Sequence, residues 1–492
     1  MSGEALIWFM IGPFFAAGLL VAIRLPALVR TAVLLATLLG ETAAASVLLT
    51  QLHAGGVLSS QLGLWDSVIA IPFAADAFSA LMLLLTSFMT LVTSLFAARA
   101  GAAAEPFFCP LVLVMTGGVA GALLTADLFN LFVCIEIMLL PSYALILLAH
   151  RGQGMRMQVT ASRIYVTVNL LTSSMFLLGV GMLYGVIGTV NLAALFGRPL
   201  ANPQAMLAVG LIFSALCVKA AVVPVHGWLT RTYPFMSPTV SALFASLHTK
   251  IAIYAIFRLN AVLFPEVRPY ATLATVIFCV SMAVGVLGAL GEQRSRGILS
   301  FHMVSQIGYV LLGVALFTPA GIAAGVFYLV HNVVAKASLF LSTGAVEIAY
   351  GRHRVGEITG LFGRERWAGV VFFAGAISLA GLPPFSGFVA KYAIVSAAFG
   401  AGQWVVGAVA VVVSLFTLMS MLKIWGGSFL GEPNEAADDS PRIGWALLAP
   451  AAVLAGVSLA LGIFGQALLG IADVIGRDLS NPAGYVQAVL GR

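Results

Sequence analysis

The chain has 492 residues, of which 61% are hydrophobic and only 9% are charged, and its mean hydropathy is +1.07. This composition excludes a soluble domain and predicts an all-α polytopic membrane protein. The net charge of +6 is not gathered in a basic run, which excludes a nucleic-acid-binding protein.

Fourteen apolar stretches are long enough to cross a bilayer, which takes about 20 residues. In chain order they cover residues 5–23, 28–51, 75–97, 107–125, 128–149, 161–187, 204–225, 238–260, 270–290, 298–317, 320–348, 367–399, 403–429 and 443–470. The only sizeable loop on the outside is 53–74, and the only polar linker is 431–442. We therefore expect four parts: helices 1–3 (1–106), a five-helix unit (107–260), a second five-helix unit (261–430), and a cytoplasmic linker with the final helix (431–492).

The loops on the two sides of the predicted membrane differ in positive charge. Loops after odd-numbered helices carry fifteen Arg and Lys residues, and the opposite side carries five. With four lysines inside helices, these account for all 24 basic residues. The positive-inside rule then predicts both termini outside. Glu4 stands where a signal peptide would be basic, so we expect the first helix to be retained.

Four of the five lysines, Lys219, Lys250, Lys336 and Lys391, lie inside predicted helices. A lysine at the centre of a membrane helix costs about 2.5 to 3.5 kcal/mol, so four of them need a reason. Glu136 is embedded in the same way. Charges in such positions mark ion or proton paths, and the sequence therefore predicts a proton-conducting protein.

Prolines interrupt two of the predicted helices beside a lysine. Pro224 follows Lys219 in helix 7, and Pro383 and Pro384 precede Lys391 in helix 12. Proline removes a backbone donor and breaks or kinks a helix. Unwound backbone in a membrane must line protein or water. Two broken helices five spans apart predict two inverted five-helix repeats, helices 4–8 and 9–13.

The embedded groups have the chemistry of a proton relay. Lysine can exchange its proton because burial and a nearby carboxylate change its proton affinity, whereas arginine keeps its proton. Glu136 is the natural partner of Lys219, with a static ion pair as the alternative. His248 lies two residues before Lys250 and is a candidate relay member. The alternative is that His248 is a polar side chain that only packs between helices.

Helix 11 carries His331, Lys336 and Glu347. Lys336 and Glu347 are eleven residues apart and therefore share a face, whereas His331 and Lys336 are about 140° apart around the helix. Direct contact between His331 and Lys336 is not expected. Glu347, His226 and His302 are interpreted as interfacial residues near the cytoplasmic edge, with a gate for proton entry as the alternative role of either histidine.

No cofactor or metal site is predicted. The four cysteines, Cys109, Cys134, Cys217 and Cys279, fall in helices without metal-binding spacing and are interpreted as packing residues. Gly117 and Gly121 are interpreted as a close helix-packing face rather than a phosphate loop. Without a Walker lysine motif, zinc spacing or nucleophile elbow, we expect a transporter component and not an enzyme.

Several segments together resemble a known family. They are FNLFVCIEIMLLPSYAL (129–145), VKAAVVPVHGWL (218–229), SPTVSALFASLHTKIAIYAIFRL (237–259), FHMVSQIGYVLLG (301–313) and SLAGLPPFSGFVAKY (378–392). The chain resembles the proton-translocating subunits shared by Mrp-type sodium/proton antiporters and respiratory complex I. MSMLKIWGGSFLG (419–431) and the length resemble the D-type branch of the Mrp family. The M-type subunit of complex I carries glutamate at the position of Lys391. The N-type subunit of complex I can carry lysine there, as this chain does.

The resemblance implies a mid-membrane polar axis of Glu136, Lys219, Lys250 and Lys391. His248, His331 and Lys336 would lie between the lysines, although the five-residue spacing of His331 and Lys336 matches the family pattern only approximately. It further implies a multi-pass protein of a prokaryotic plasma membrane. Its partners would be the large A-type and the small membrane subunits of an antiporter complex, with protons as cargo and Na⁺ as a second candidate.

Three functions are compatible with these residues. The first is the proton-translocating subunit of a multisubunit Na⁺/H⁺ antiporter. The second is a proton-pump subunit of a complex I-like oxidoreductase, which iron–sulfur proteins among the neighbouring genes would favour. The third is a structural subunit with fixed ion pairs, for which charge removal would impair assembly and not transport.

Overall fold

The computed structural model describes residues 1–61, 70–148, 155–198, 202–265, 270–434 and 441–491. Within them, twelve helices are long and apolar enough to cross a membrane, and three shorter apolar helices accompany them. Of the three shorter helices, Phe108–Leu124 forms one span by itself, and Arg366–Ala380 and Ser386–Gly400 are the two halves of one broken helix. Together with the twelve long helices, the described residues thus hold the fourteen predicted helices. Arg151, Arg268 and Arg492, counted above in loops, lie outside the described residues.

The N-terminal part consists of a short 3₁₀ turn, three long helices and a small hairpin. The helices are α1 (Trp8–Ala22), α2 (Ala27–Leu52) and α3 (Ala77–Arg99). Strands β1 (Leu58–Gln61) and β2 (Pro72–Ala75) pair antiparallel, with Leu58 opposite Ala75, and β2 ends one residue beyond the predicted 53–74 loop. Helix α2 packs against α1 and α3.

The first five-helix unit contains one broken helix. Its helices are α4 (Phe108–Leu124), α5 (Leu128–Leu148), α6 (Met155–Ile187), the short α7 (Leu192–Leu195), α8 (Pro203–Ala220), α9 (Gly227–Thr232) and α10 (Pro238–Leu263). Helices α8 and α9 form the predicted broken helix 7. The predicted glycine packing face is confirmed, because a Cβ on Gly117 would lie 2.4 Å from Phe14 of α1.

The second five-helix unit has the same order of long and broken helices. Its helices are α11 (Ala271–Gly291), α12 (Ser295–Ala315), α13 (Pro319–Tyr350), the short α14 (Leu361–Arg364), α15 (Arg366–Ala380), α16 (Ser386–Gly400) and α17 (Trp404–Ile424). Helices α15 and α16 form broken helix 12. In both units the broken helix is the fourth span; their relation by inverted symmetry stays a prediction.

The C-terminal part holds three helices where the sequence predicted one. Helix α18 (Trp445–Ile463) is the last span and ends earlier than expected, and α19 (Gly465–Ser480) and α20 (Ala483–Leu490) follow it. Ser59 of β1 donates a hydrogen bond to the carbonyl of Ala488. The Met1 amino group bonds Gln51 at the end of α2. We call the side of the protein that holds β1 and β2 the hairpin face. Both ends of the described chain therefore lie at this face.

Helices α10 and α13 form the centre of the molecule. In an 18-residue apolar stretch of each helix, 100% of the residues are buried inside the protein. In the corresponding stretches of α2, α6 and α11, only 33% of the residues are buried. Lys250 and Lys336 lie on these two central helices. The chain thus places two of its lysines where neither lipid nor bulk water surrounds them.

Buried ion pairs fix both ends of this centre. Asp76 caps α3 and pairs with Arg258 of α10 at 2.7 Å. Arg296 at the start of α12 pairs with Glu347 of α13 at 2.7 Å. The interpretation of Glu347 as an interfacial residue was wrong, because it is only 6% exposed and neutralises Arg296. Arg258 and Arg296, two of the twenty basic residues counted above as loop residues, lie within helices.

Candidate functional site

Glu136 and Lys219 are joined through a third residue that the sequence analysis did not identify. The Ser173 hydroxyl of α6 donates a short hydrogen bond to Oε1 of Glu136 on α5. The Nζ of Lys219 donates to the same hydroxyl at 3.0 Å. Ser173 and Lys219 are buried, and Glu136 is half-buried. One hydroxyl that accepts from the ammonium and donates to the carboxylate couples the protonation of both groups.

Lys219 lies in the last turn of α8, where the helix breaks. Ala221 adopts a left-handed conformation with φ of 61°, and the N–H of Val222 bonds back to the carbonyl of Cys217. The Trp228 indole N–H donates to the carbonyl of Val218 at 2.8 Å. The break thus leaves Lys219 beside the carbonyl end of a helix, whose dipole favours a positive charge.

Lys250 is buried on α10, and no carboxylate of the described residues pairs with it. Its Nζ donates to the carbonyl of Ala245 at 2.6 Å and to the Thr249 hydroxyl at 3.0 Å. The Nδ1 of His248 lies 3.3 Å from the Tyr165 hydroxyl. His248 and Lys250 lie two residues apart on α10, and α10 packs against α8, which carries Lys219.

Lys336 and His331 use different faces of α13, as predicted. The Nζ of Lys336 donates to the carbonyl of Leu299 on α12 at 3.0 Å. The Nδ1 of His331 shares a 2.8 Å hydrogen bond with the Ser386 hydroxyl, at the start of α16. Both side chains are fully buried. Glu347 also contacts α12, which confirms that it shares a face with Lys336.

Lys391 lies at the break of helix 12. Its Nζ donates to the carbonyl of Ala380, the last residue of α15, at 2.7 Å and to the Ser414 hydroxyl of α17 at 2.8 Å. The same nitrogen lies 5.7 Å from the ring centre of Tyr309. Lys219 and Lys391 are thus both held at the carbonyl end of the first half of a broken helix.

His302 belongs to the buried centre, and its interpretation as an interfacial residue was wrong. It is 0% exposed, and its Nε2 lies 2.6 Å from the Ser420 hydroxyl of α17. A signal was present in the sequence, because His302, Gln306 and Tyr309 recur at helical spacing and form an inward polar face.

The helices that carry these candidate residues pack against one another in series, α8 against α10, α10 against α13, and α13 against α16. Several buried polar atoms between them have no hydrogen-bond partner within the described chain. These atoms are Nε2 of His248, Nδ1 of His302, Nε2 of His331 and both amide atoms of Asn332. Ordered water is the usual partner of such atoms.

A chain of serines leads away from His331. Ser386, bonded to His331, shares a 2.9 Å hydrogen bond with Ser458 of α18, which is 2.6 Å from Ser378 of α15. All three serines are buried. These hydroxyls connect the centre with the last membrane helix, outside the two five-helix units. Within the described residues, no group of three or more His, Cys, Asp or Glu could hold a metal ion.

Comparisons with known proteins identify the family of the chain. A family model described as "NADH:quinone oxidoreductase/Mrp antiporter, TM" matches residues 125–417, which include every residue of the predicted axis. The chain is 33% identical over 449 residues to the D subunit of the Na⁺/H⁺ antiporter of Alkalihalophilus pseudofirmus, and 34% identical over 451 residues to that of Bacillus subtilis. Each alignment covers 90% of both chains.

Two solved assemblies contain similar chains. A chain of the Mrp complex from Dietzia sp. DQ12-45-1b is 48% identical, with 99% of both chains covered and a TM-score of 0.96. A chain of respiratory complex I from Thermus thermophilus is 26% identical, with 94% of this chain and 98% of that chain covered and a TM-score of 0.76. The similarity is thus greater to the Mrp chain.

Proposed function

The chain belongs to the transmembrane family shared by NADH:quinone oxidoreductases and Mrp antiporters, and we propose that it is the proton-translocating D-type subunit of a multisubunit Na⁺/H⁺ antiporter. The relatives named as antiporter subunits and the 48% identity to an Mrp chain support the antiporter over a complex I-like pump. The single observation that carries proton translocation is the buried series of lysines and histidines from Lys219 to Lys391.

Glu136, Ser173 and Lys219 form the first station of the proposed relay. While Glu136 is ionised, its charge stabilises the proton on Lys219 through the shared hydroxyl. A proton that reaches Glu136 removes this stabilisation, and Lys219 then releases its own proton to His248. The loss of one charge at Glu136 thus drives one proton toward the centre of the molecule.

The proton then crosses the centre along neutral acceptors. His248 passes it to Lys250, and Lys250 passes it to Lys336, through water at the unpartnered buried atoms. His331 and His302 receive it between Lys336 and Lys391. Lys391 is the exit station, with the serine chain through Ser386 and Ser458 as a second outlet. Each transfer moves one proton between two bases and requires no redox partner.

The proposed setting is a multisubunit complex in a prokaryotic cell membrane. Exposed apolar side chains such as Leu28, Phe15 and Val405 give the chain surfaces for lipid or for other membrane subunits. The proton gradient would drive sodium export elsewhere in the assembly. The excess of positive loop charge supports both termini lying outside.

The test is sodium-driven proton movement in inverted vesicles that contain the whole complex, with Lys219→Ala compared with wild type. Lys423→Ala is the matched control, because Lys423 bonds the carbonyls of Leu290 and Glu292 away from the axis. We expect Lys219→Ala to abolish transport in an intact complex and Lys423→Ala to retain it. Full activity of Lys219→Ala would make the Glu136–Lys219 contact structural. A wild type without a sodium-dependent signal would instead favour the redox-driven pump.

A further inference from the structure

A second glutamate, Glu41, is buried in a membrane helix away from the proposed relay. It lies near the middle of the 26-residue helix α2, in an inward row with Leu34, Leu38, Ala45 and Leu48. It is 9% exposed. The position precedes the 125–417 segment matched by the family model. The sequence analysis missed it, although it falls inside the predicted second helix.

The surroundings of Glu41 differ from those of Glu136. Glu136 accepts a hydrogen bond from Ser173, which also bonds Lys219. Both carboxyl oxygens of Glu41 are buried and lack a hydrogen-bond partner within the described chain. Burying an ionised carboxylate without a partner costs far more than burying a neutral carboxylic acid. Glu41 and Glu136 should therefore carry different charges.

We propose that Glu41 is a neutral, proton-bearing carboxylic acid in the assembled complex and a modification site for hydrophobic carbodiimides. These reagents need the protonated form of a carboxyl group and an apolar route to it. Leu39 and Val47 are exposed on the other face of α2, so an apolar reagent can collect beside this helix. Glu41 thus holds a proton permanently and passes none to the relay.

The reaction with the carbodiimide balances without another reactant. The carboxyl oxygen adds to the central carbon of the reagent while the carboxyl proton moves to one nitrogen, which gives an O-acylisourea. The acyl group then migrates from oxygen to the other nitrogen and forms a stable N-acylurea. No atom leaves, so the peptide gains the full mass of the reagent.

The experiment treats the intact complex in membranes with dicyclohexylcarbodiimide and maps adducts by digestion and mass spectrometry. A water-soluble carbodiimide is applied in parallel, with the exposed Glu432 as the control carboxylate. We expect the hydrophobic reagent to label Glu41, and the water-soluble reagent to label Glu432 and spare Glu41. Glu41→Gln should remove the adduct and retain assembly and antiport, because glutamine has the size and neutrality of the protonated acid.

Infrared spectroscopy tests whether Glu41 is protonated, and this test does not depend on whether the reagent reaches α2. Glu41→Gln should remove a carboxylic-acid C=O band from the wild-type spectrum at neutral pH. An unlabelled Glu41 together with an unchanged band would overturn the proposal. Loss of antiport by Glu41→Gln in an assembled complex would also overturn it, because glutamine cannot ionise. The adduct and the infrared band do not depend on transport, so they stay informative if the proposed antiport function fails.

Discussion

The embedded lysines fall into two classes according to their partners. Lys219 is linked to a carboxylate through Ser173, whereas among the described residues Lys250, Lys336 and Lys391 donate to backbone carbonyls and hydroxyls. A carboxylate fixes a proton on its lysine, but neutral acceptors stabilise the ammonium less strongly. The three lysines with neutral partners are thus suited to transient protonation. Glu136 provides the one carboxylate that can switch the first lysine.

Ser173→Ala tests whether the shared hydroxyl couples Glu136 to Lys219. Loss of a hydrogen bond to a charged group costs about 1.5 to 3 kcal/mol. We expect antiport to slow by roughly tenfold or more, since about 1.4 kcal/mol corresponds to a factor of ten in rate. The measurement is the initial rate of sodium-driven proton movement in inverted vesicles.

Ser174→Ala is the matched control for this prediction. Ser174 is the next residue of α6, is exposed, and bonds only the carbonyl of Leu170. Its replacement should leave the rate unchanged, and Ser173→Thr, which keeps a hydroxyl, should recover part of the loss. A Ser173→Ala complex that works at the wild-type rate would exclude the hydroxyl from the relay.

At the scale of elements, the broken helices bring helix ends to the middle of the membrane. The carbonyl of Ala380 at the end of α15 accepts from both Lys391 and Ser414. In an unbroken helix that carbonyl would accept a hydrogen bond from the backbone N–H of the residue four positions later. The break therefore supplies a free acceptor at the depth where a lysine needs one. Proline beside a lysine in the sequence predicted this arrangement.

Gly387→Ala tests how closely the two halves of helix 12 are packed. A Cβ on Gly387 would lie 1.7 Å from the carbonyl oxygen of Ser378 and 2.9 Å from Cε1 of His331. Overpacking of this kind costs about 1 to 3 kcal/mol or more, and here it also displaces His331. We expect a lower yield of assembled complex, a lower melting temperature in detergent and a loss of antiport.

Gly400→Ala serves as the comparison on the same helix. A Cβ on Gly400 would meet nothing within 4 Å, so its replacement should leave the melting temperature and the antiport rate unchanged. Equal melting temperatures for Gly387→Ala and wild type would contradict the close packing of α15 against α16.

The sequence predicts the relay residues better than their partners. Hydrophobic length, embedded charges and prolines identify the helices, the four lysines and the two breaks, because each has a large energetic cost in a membrane. Ser173, Ser386 and Ser458 were missed because a serine can bond its own helix backbone and carries no signal of a distant partner. Glu347 was misassigned because Arg296, its partner, lies 51 residues away.

At the scale of the whole molecule, a buried ion pair lies at each end of the central helices and the lysines lie between. The Asp76–Arg258 pair closes the hairpin face, where Arg258 also lies 4.6 Å from the ring centre of Tyr485 in α20. The Arg296–Glu347 pair closes the opposite end of α12 and α13. Fixed pairs at the ends hold helices whose middle parts carry the lysines of the proposed relay. This division separates structural charges from the proposed relay charges.

The Asp76–Arg258 pair makes the hairpin face sensitive to acid. Burial alone would raise the pKa of Asp76, but the Arg258 guanidinium and hydrogen bonds from Ser79 lower it below the usual 3.8. A carboxyl whose pKa is lower in the folded protein stabilises it at pH values above the unfolded pKa, and this stabilisation is lost as the pH falls through the folded pKa. Removing one partner of a buried pair costs about 3 to 5 kcal/mol.

Asp76→Asn should therefore be clearly less stable than wild type at pH 7, and the difference should shrink below about pH 4 as the wild-type carboxylate becomes protonated. Asp473→Asn is the control, because Asp473 lies exposed on α19. Melting temperatures of the purified complex in detergent, measured from pH 7 to pH 3 for all three proteins, provide the test. A difference between Asp76→Asn and wild type that stays constant over this range would show that the charge of Asp76 does not hold the hairpin face. The expected convergence would instead assign acid sensitivity to this ion pair, because the asparagine keeps the shape of the side chain and loses only its titration.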